Sequence, residues 1–227
     1  MPCIGLAAEF SFPSNMTVDD IPIIVRSFNS GFLARAPIGL LGQDKYQTEI
    51  TFRHSYINTS TVSKLGTGSQ DHPVQVQEVL FSRQLPFDVE LGVQSNLTMF
   101  DRNISTYGGY ARWGLWNLPW GGVSLLGLSS SARYKSLMSA NLYGGSLLFD
   151  LKLWQLSVSL GTGLMRTTNS FEASLFGTSG FAENQTYAKS FAHQSVKVAY
   201  FMNQFVLSIQ ADWLDRFFGS AELSYLF

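Results

Sequence analysis

The chain ends on Arg216 to Phe227, RFFGSAELSYLF, and this stretch limits the fold more than any other. Phe217, Gly219, Ala221, Leu223, Tyr225 and Phe227 fall on one face of an extended chain; Phe218, Ser220, Glu222, Ser224 and Leu226 fall on the other. A period of two belongs to a β-strand, and an apolar row backed by a more polar one means that its two faces meet different media. A strand this apolar cannot be left with a bare edge in water, where it would pair with other chains. It needs neighbours on both sides.

The same alternation recurs along the chain and predicts about 12 strands, near the roughly 9–11 residues that cross a bilayer at a tilt. They are Ile4–Phe12, Gly31–Leu41, Lys45–Asn58, Pro73–Arg83, Phe87–Met99, Ile104–Trp116, Gly122–Tyr134, Leu137–Phe149, Lys152–Arg166, Tyr187–Tyr200, Phe205–Trp213 and the terminal strand. Phe87–Met99 alternates most cleanly. Val89, Leu91, Leu156, Val158, Leu207 and Ile209 are expected on the outer surface. Leu126, Leu128 and Ala132 are expected there too, in a strand with a noisier pattern. Residues 14–30 form a connection in which the IPIIV patch folds back as a short element. No internal repeat or linker interrupts residues 1–227, so one domain is expected.

Charged residues make up only 14% of the chain and aromatics another 14%, against a usual charged share of about 25%. No apolar run approaches the roughly 20 residues of a membrane helix. Low charge without such a run favours a β-barrel in a membrane. Lipid offers backbone groups no hydrogen bonds, so a sheet there must close on itself. Trp116, Trp120 and Trp154 sit beside short turns, where a girdle at the headgroups would place them. A soluble barrel or β-sandwich, with the apolar rows inside, shares the alternation. Small, serine- and glycine-rich polar rows and the apolar terminus favour the membrane form. The net charge of −1 gives no electrostatic case for nucleic acid. Cys3 is the only cysteine, so no internal disulfide forms, and export would make this the mature form behind Met1.

The terminal strand resembles that of bacterial outer-membrane β-barrels, where a final Phe and alternating aromatics are read by the insertion machinery. Leu223, Tyr225 and Phe227 occupy the matching apolar places and Ser220 the polar one; Glu222 departs from the glycine often found there. The resemblance implies an all-β, single antiparallel transmembrane barrel in the bacterial outer membrane with both termini periplasmic. Outer-membrane lipid and the insertion machinery are its implied partners.

Candidate functional residues lie on the polar rows. Glu9, Glu49, Arg53, Asp88, Glu90, Arg112, Lys197 and Glu222 are expected to line the lumen, with Glu78, Arg133 and Arg216 on the same side. Acids and bases there either pair and fill the lumen or line a narrow pore for small polar solutes or ions. The pore is the favoured reading, with Arg53 near mid-height and a mild cation preference at the periplasmic mouth. His193 and Ser195 stand two apart, as in outer-membrane phospholipases, but Val196-Lys197 replaces the Asn-Gly that follows in that family. Their shared face would let imidazole take the serine proton. Lipid A deacylases share the architecture without matching residues. No spacing of His, Cys or carboxylates suits a structural metal, and no cofactor motif is present. Sequons at Asn15, Asn58, Asn96, Asn103 and Asn184 are read as ordinary loop composition.

Overall fold

The computed structural model describes residues 12–13, 15–32, 47–57, 60–65, 74–96, 104–176, 184–214 and 217–227. Ten antiparallel strands form one closed barrel: β1 Thr48–Ile57, β2 Val74–Leu85, β3 Val89–Asn96, β4 Ile104–Leu118, β5 Gly121–Tyr134, β6 Met138–Leu153, β7 Leu156–Phe171, β8 Gln185–Met202, β9 Phe205–Trp213 and β10 Phe217–Leu226. Each strand pairs with its sequence neighbours, and β1 closes the ring against β10 from Glu49↔Leu226 to Ser55↔Ser220. Short turns after β2, β4, β6 and β8 share one end with the start of β1 and the end of β10. The ends of β1, β3, β5, β7 and β9 lie at the other end.

The wall is lopsided. Strands β4 to β8 run 15, 14, 16, 16 and 18 residues, whereas β9, β10, β1 and β3 have 9, 10, 10 and 8. At roughly 3.4 Å per residue, five or six extra residues on a tilted strand raise the tall side by about 15 Å at the loop end.

Polarity inverts along those tall strands. Near the turn end, Leu147, Phe149, Leu156, Leu160 and Val196 face outward and exposed, while Ser124, Ser146, Ser157, Ser159 and Lys197 face inward and buried. Toward the loop end the outward residues become Ser129, Arg133, Asn141 and Arg166, and the inward ones Tyr134, Met138, Phe171 and Phe191. One half of each tall strand is therefore patterned for an apolar surround and a wet interior, and the other half for water outside.

The helix α1, Ile21–Phe32, fills that apolar upper interior. Ile21, Ile24, Val25 and Phe28 recur at three- and four-residue spacing and are all buried, the stripe an amphipathic helix requires. Pro22 is tolerated because the first turn has no intrahelical use for its missing N–H. Val62, Val74, Ile104, Tyr134, Met138, Phe171 and Phe176 complete the cluster. Upstream, Phe12 packs edge-on to Tyr134 at 4.9 Å and tilted on Phe28 at 5.1 Å. The Met16 N–H donates to the Leu175 carbonyl at 3.2 Å, and the Thr17 N–H to Asp20 at 2.8 Å.

The strand count is ten, not about 12, and the difference lies at the start. Ile4–Phe12 falls outside the described residues up to position 11, and Phe12 is not in a strand. Gly31 and Phe32, the start of the expected second strand, belong to α1, and residues 33–46 lie outside the described residues. The connection over 14–30 does fold back through its IPIIV patch, as helix. The other ten strands match those expected. The six outer-surface residues all face outward, with Val89 and Val158 half-buried. Leu126, Leu128 and Ala132 are corrected: they face the interior, because Ser124, Ser130 and the α1 packing set that parity and leave Leu125, Gly127 and Ser129 outside.

Gly92 lies opposite Tyr110 across β3 and β4, and a Cβ there would overlap the tyrosine ring. Gly127 has nothing within 4 Å of a built Cβ. Gly92→Val should lower barrel stability by about 1–3 kcal/mol through overpacking, and Gly127→Val should leave it nearly unchanged. Unfolding midpoints in urea of detergent-folded protein check the pair.

Candidate functional site: the polar lumen

The lumen below α1 is occupied by three polar clusters. The first spans the closing seam. Arg53 and Glu222 face each other across β1 and β10, and Arg53 Nε donates to Glu222 Oε1 at 2.7 Å. Lys197, reaching over from β8, donates to Glu222 Oε2 at 2.6 Å, and Ser208 does so at 3.2 Å. Arg53 also lies 3.6 Å from Glu78 on β2, which accepts from Thr106 at 3.1 Å. Above and below Glu222 on the same row, Ser220 and Ser224 are buried, and Ser224 shares a 2.8 Å hydrogen bond with Thr51. Glu49 accepts from Thr51 at 2.8 Å.

The second cluster centres on Arg112 of β4, which is 0% exposed. Its guanidinium donates to Ser124 at 2.8 Å, pairs with Asp150 of β6, and approaches Glu90 at 3.8 Å. Asp150 in turn accepts from Ser159, and Glu90 from the Tyr110 hydroxyl, whose ring lies over Gly92.

The third is a relay of Ser146, His193 and Asp212. His193 Nδ1 lies 3.1 Å from Ser146 Oγ and Nε2 lies 3.0 Å from Asp212 Oδ1. Gln210 donates to both Asp212 oxygens, at 2.9 and 3.1 Å. The members match a nucleophile, a base and an orienting acid. However, Ser146 is 2% exposed, and its hydroxyl lies over Gly163. The relay works as a crosslink between β6, β8 and β9.

Among the expected lumen residues, Arg53, Glu90, Arg112, Lys197 and Glu222 are brought together inside, with Glu49 on the same row. Glu9 lies outside the described residues, as does Arg216. Asp88 is corrected: it is exposed at the tip of the β2–β3 turn, with φ of 57°, because β3 starts one residue later, at Val89. Arg133 is likewise outward and exposed. His193 and Ser195 face the lumen, and the imidazole bonds Ser146 and Asp212 instead of Ser195, so they form no lipid-facing pair. Leu223, Tyr225 and Phe227 share the outer face of the terminal segment, where Tyr225 stacks edge-on to Phe205 and Phe227. Asp150, Asp212 and Ser146 were missed. Their parity puts them on inward rows, but the expected strand Leu137–Phe149 stops four residues short of Leu153 and leaves Asp150 out.

The class follows from this arrangement: a closed antiparallel β-barrel, apolar outside and ionic inside around its turn-end half. No family model matches the chain, and no curated protein does. Among solved structures it is similar to the N-terminal β-barrel domain of Pseudomonas aeruginosa OprF, at 12% identity and TM-score 0.37 over 82% of this chain and 100% of that one. It is also similar to Ail of Yersinia pestis in complex with sucrose octasulfate, at 12% and 0.36 over 81% and 100%. The KdgM porin follows at 14% and 0.39 over 78% and 98%. With TM-scores below 0.5 these likenesses are loose, and the barrel fold rests on the chain's own strand pairing.

Removing one member of a buried ion pair strands the other without water. Glu222→Ala, which leaves Arg53 and Lys197 facing an apolar gap, should cost about 3–5 kcal/mol. Arg53→Met with Glu222→Leu should cost less than the single change, because a cation and an anion leave together and the Lys197 and Glu78 that remain balance in charge. Urea midpoints of the folded barrel in detergent distinguish the two results.

Proposed function

We propose that this chain is an outer-membrane β-barrel with a shut lumen, which anchors and displays its loop end instead of conducting solutes. The observation that carries this is the combination of clustered charges and α1 across the interior. Arg53, Arg112, Glu78, Glu90 and Glu222 are all nearly inaccessible, and the apolar core around α1 lies above them.

Membrane placement is supported by the outer wall. Phe52, Leu91, Val93, Leu147, Leu160, Leu207 and Ile209 are exposed around the ring, an apolar surface no water-soluble barrel tolerates. Aromatic side chains border it at both ends. At the turn end stand Trp116, Trp120, Trp154, Phe205 and Phe227; at the loop end stand Tyr56, Tyr107, Tyr143, Trp213 and Phe217. Phe87 and Trp154 occupy turn tips with φ of 65° and 54° while 88% and 98% exposed. A bulky residue in the left-handed region is strained and gains nothing from water. In the headgroup zone its ring finds a favourable medium. The short turns then face the periplasm, as the even number of strands requires for a barrel that starts and ends there.

A narrow channel is the second reading, favoured by one feature. The described inward charges below α1 are Glu49, Glu78, Glu90, Asp150, Asp212 and Glu222 against Arg53, Arg112 and Lys197, an acidic excess suited to cations. Conduction would require α1 to leave the upper lumen and the Arg53 and Arg112 clusters to part.

Planar-bilayer recording of the purified full chain decides between the two. The expected result is no conductance steps in the wild type. Steady cation-selective steps, shifted toward anions by Glu49→Gln with Glu90→Gln, would replace the anchoring account with the channel.

A further inference from the structure

On the tall wall, the outer faces of β4, β5 and β6 enclose a depression of about 660 Å³. Its lower floor is made of small outward residues, Gly109, Ala111 and Gly127, between the Tyr107 and Tyr143 side chains. Cross-strand pairing puts Gly109 beside Ser129 and Ser129 beside Tyr143; one step toward the loop end, Tyr107, Ser131 and Asn141 lie abreast. The hydroxyl of Ser131 donates to Asn141 at 2.7 Å at the upper rim. The depression therefore runs from apolar to polar across the level of the two tyrosines.

Two arginines bracket its polar end. Arg133 lies two residues beyond Ser131 on β5, and Arg166 pairs in register with Tyr143 from β7. Both face outward and are exposed. Among the described residues neither has an ion-pair or hydrogen-bond partner. No Asp or Glu shares the outward rows of β4 to β8 with them; Glu172, just past β7, lines a neighbouring cavity with Arg133 but makes no ion pair with it. Two guanidiniums without ion-pair partners at the upper edge of an apolar belt form a site for negative charge held at headgroup depth.

We infer that this depression binds one anionic membrane lipid, with an acyl chain along Gly109, Ala111 and Gly127 and its phosphate between Arg133 and Arg166. The inference rests on the membrane reading above and adds a ligand class to it. The small floor lets a chain lie against the backbone, and the bracketing cations select a phosphate over a neutral headgroup. Ser129, Ser131 and Asn141 supply hydrogen bonds to the linking esters. The lipid would fasten the tall wall at a fixed depth.

The test uses the full folded chain, first inserted into phosphatidylcholine vesicles and then, in detergent, titrated with phosphatidic acid, phosphatidylcholine or inorganic phosphate under native mass spectrometry. Wild type should bind phosphatidic acid about tenfold more tightly than phosphatidylcholine. Arg133→Gln with Arg166→Gln should remove that preference. Gly127→Leu, which fills the floor from an open position, should weaken both lipids with the arginines intact. Equal phosphatidic acid binding by the double Gln variant overturns the site, as does an unaffected Gly127→Leu. Displacement of the lipid by inorganic phosphate at similar concentration would show a free-anion site instead and also overturns it. If wild type fails to insert into vesicles, the membrane reading falls and takes the site with it. If it inserts and the lipid arms fail, only the site falls.

Discussion

The structure depends on the closure of β1 against β10. Nine of the ten strand pairs join neighbours in sequence, but this one joins the first strand to the last. Seven residue pairs make the seam, and Arg53 opposite Glu222 lies one step from its centre. A bare edge would leave a row of backbone groups without partners, so the ring exists only when this seam is shut. The ion pair bridges it inside the ring, and Lys197 ties it to β8. Glu222 takes the place where glycine often stands in the family this terminus resembles. The residue that departs is the one that forms the seam's ion pair.

The second constraint is that each tall strand obeys two patterns in succession. On β6, Leu147, Phe149 and Leu151 face outward near the turn end, whereas Ser139 and Asn141 do so near the loop end. The parity never changes; the media do. An interior made apolar at the loop end needs something apolar to bury against, and the stripe on α1 supplies it. This explains why one side of the barrel is tall. The walls of β4 to β8 extend as far as there is helix and upstream chain to cover, and Tyr134, Met138 and Phe171 at their upper ends belong to the same core as Phe28 and Phe176.

Those two patterns account for what the sequence made legible. Phe205–Trp213 and Phe87–Met99 cross one medium only, so simple alternation gave their faces. In Gly122–Tyr134 the apolar row changes sides partway, and following the larger side chains selected Leu126, Leu128 and Ala132, which lie inside. The helix was hidden for a related reason. IPIIVRSF contains a helical stripe, but in a chain of alternating strands its apolar density read as a connection that merely folds back. Among site residues, parity sufficed for Arg53, Glu90, Arg112 and Lys197. It failed for Asp88, because β3 begins two residues later than expected, at Val89, which moves the side chain from wall to turn. The partners across the lumen were beyond reach, because which inward residue meets which depends on closure and register, not on local pattern.

Ring size then settles how those inward residues must behave. At about 12 strands a barrel falls between side-chain-filled and water-filled forms, but ten strands lie close to the eight whose interior side chains alone can fill. Inward side chains on one strand fill the space over small residues on its neighbour. Tyr110 lies over Gly92, Leu148 and Ser195 crowd Gly161, and Ser146 fills the space over Gly163. Charged residues in such a space are costly unless each finds an opposite charge or a hydroxyl. Arg112 meets Asp150, Glu90 and Ser124; Glu222 meets Arg53, Lys197 and Ser208. Each contact joins a different pair of strands one or two places apart, so the charges that make the interior polar also tie the ring together locally. A barrel braced in this way opens only by breaking several buried ion pairs together, which is why the lumen reads as scaffold.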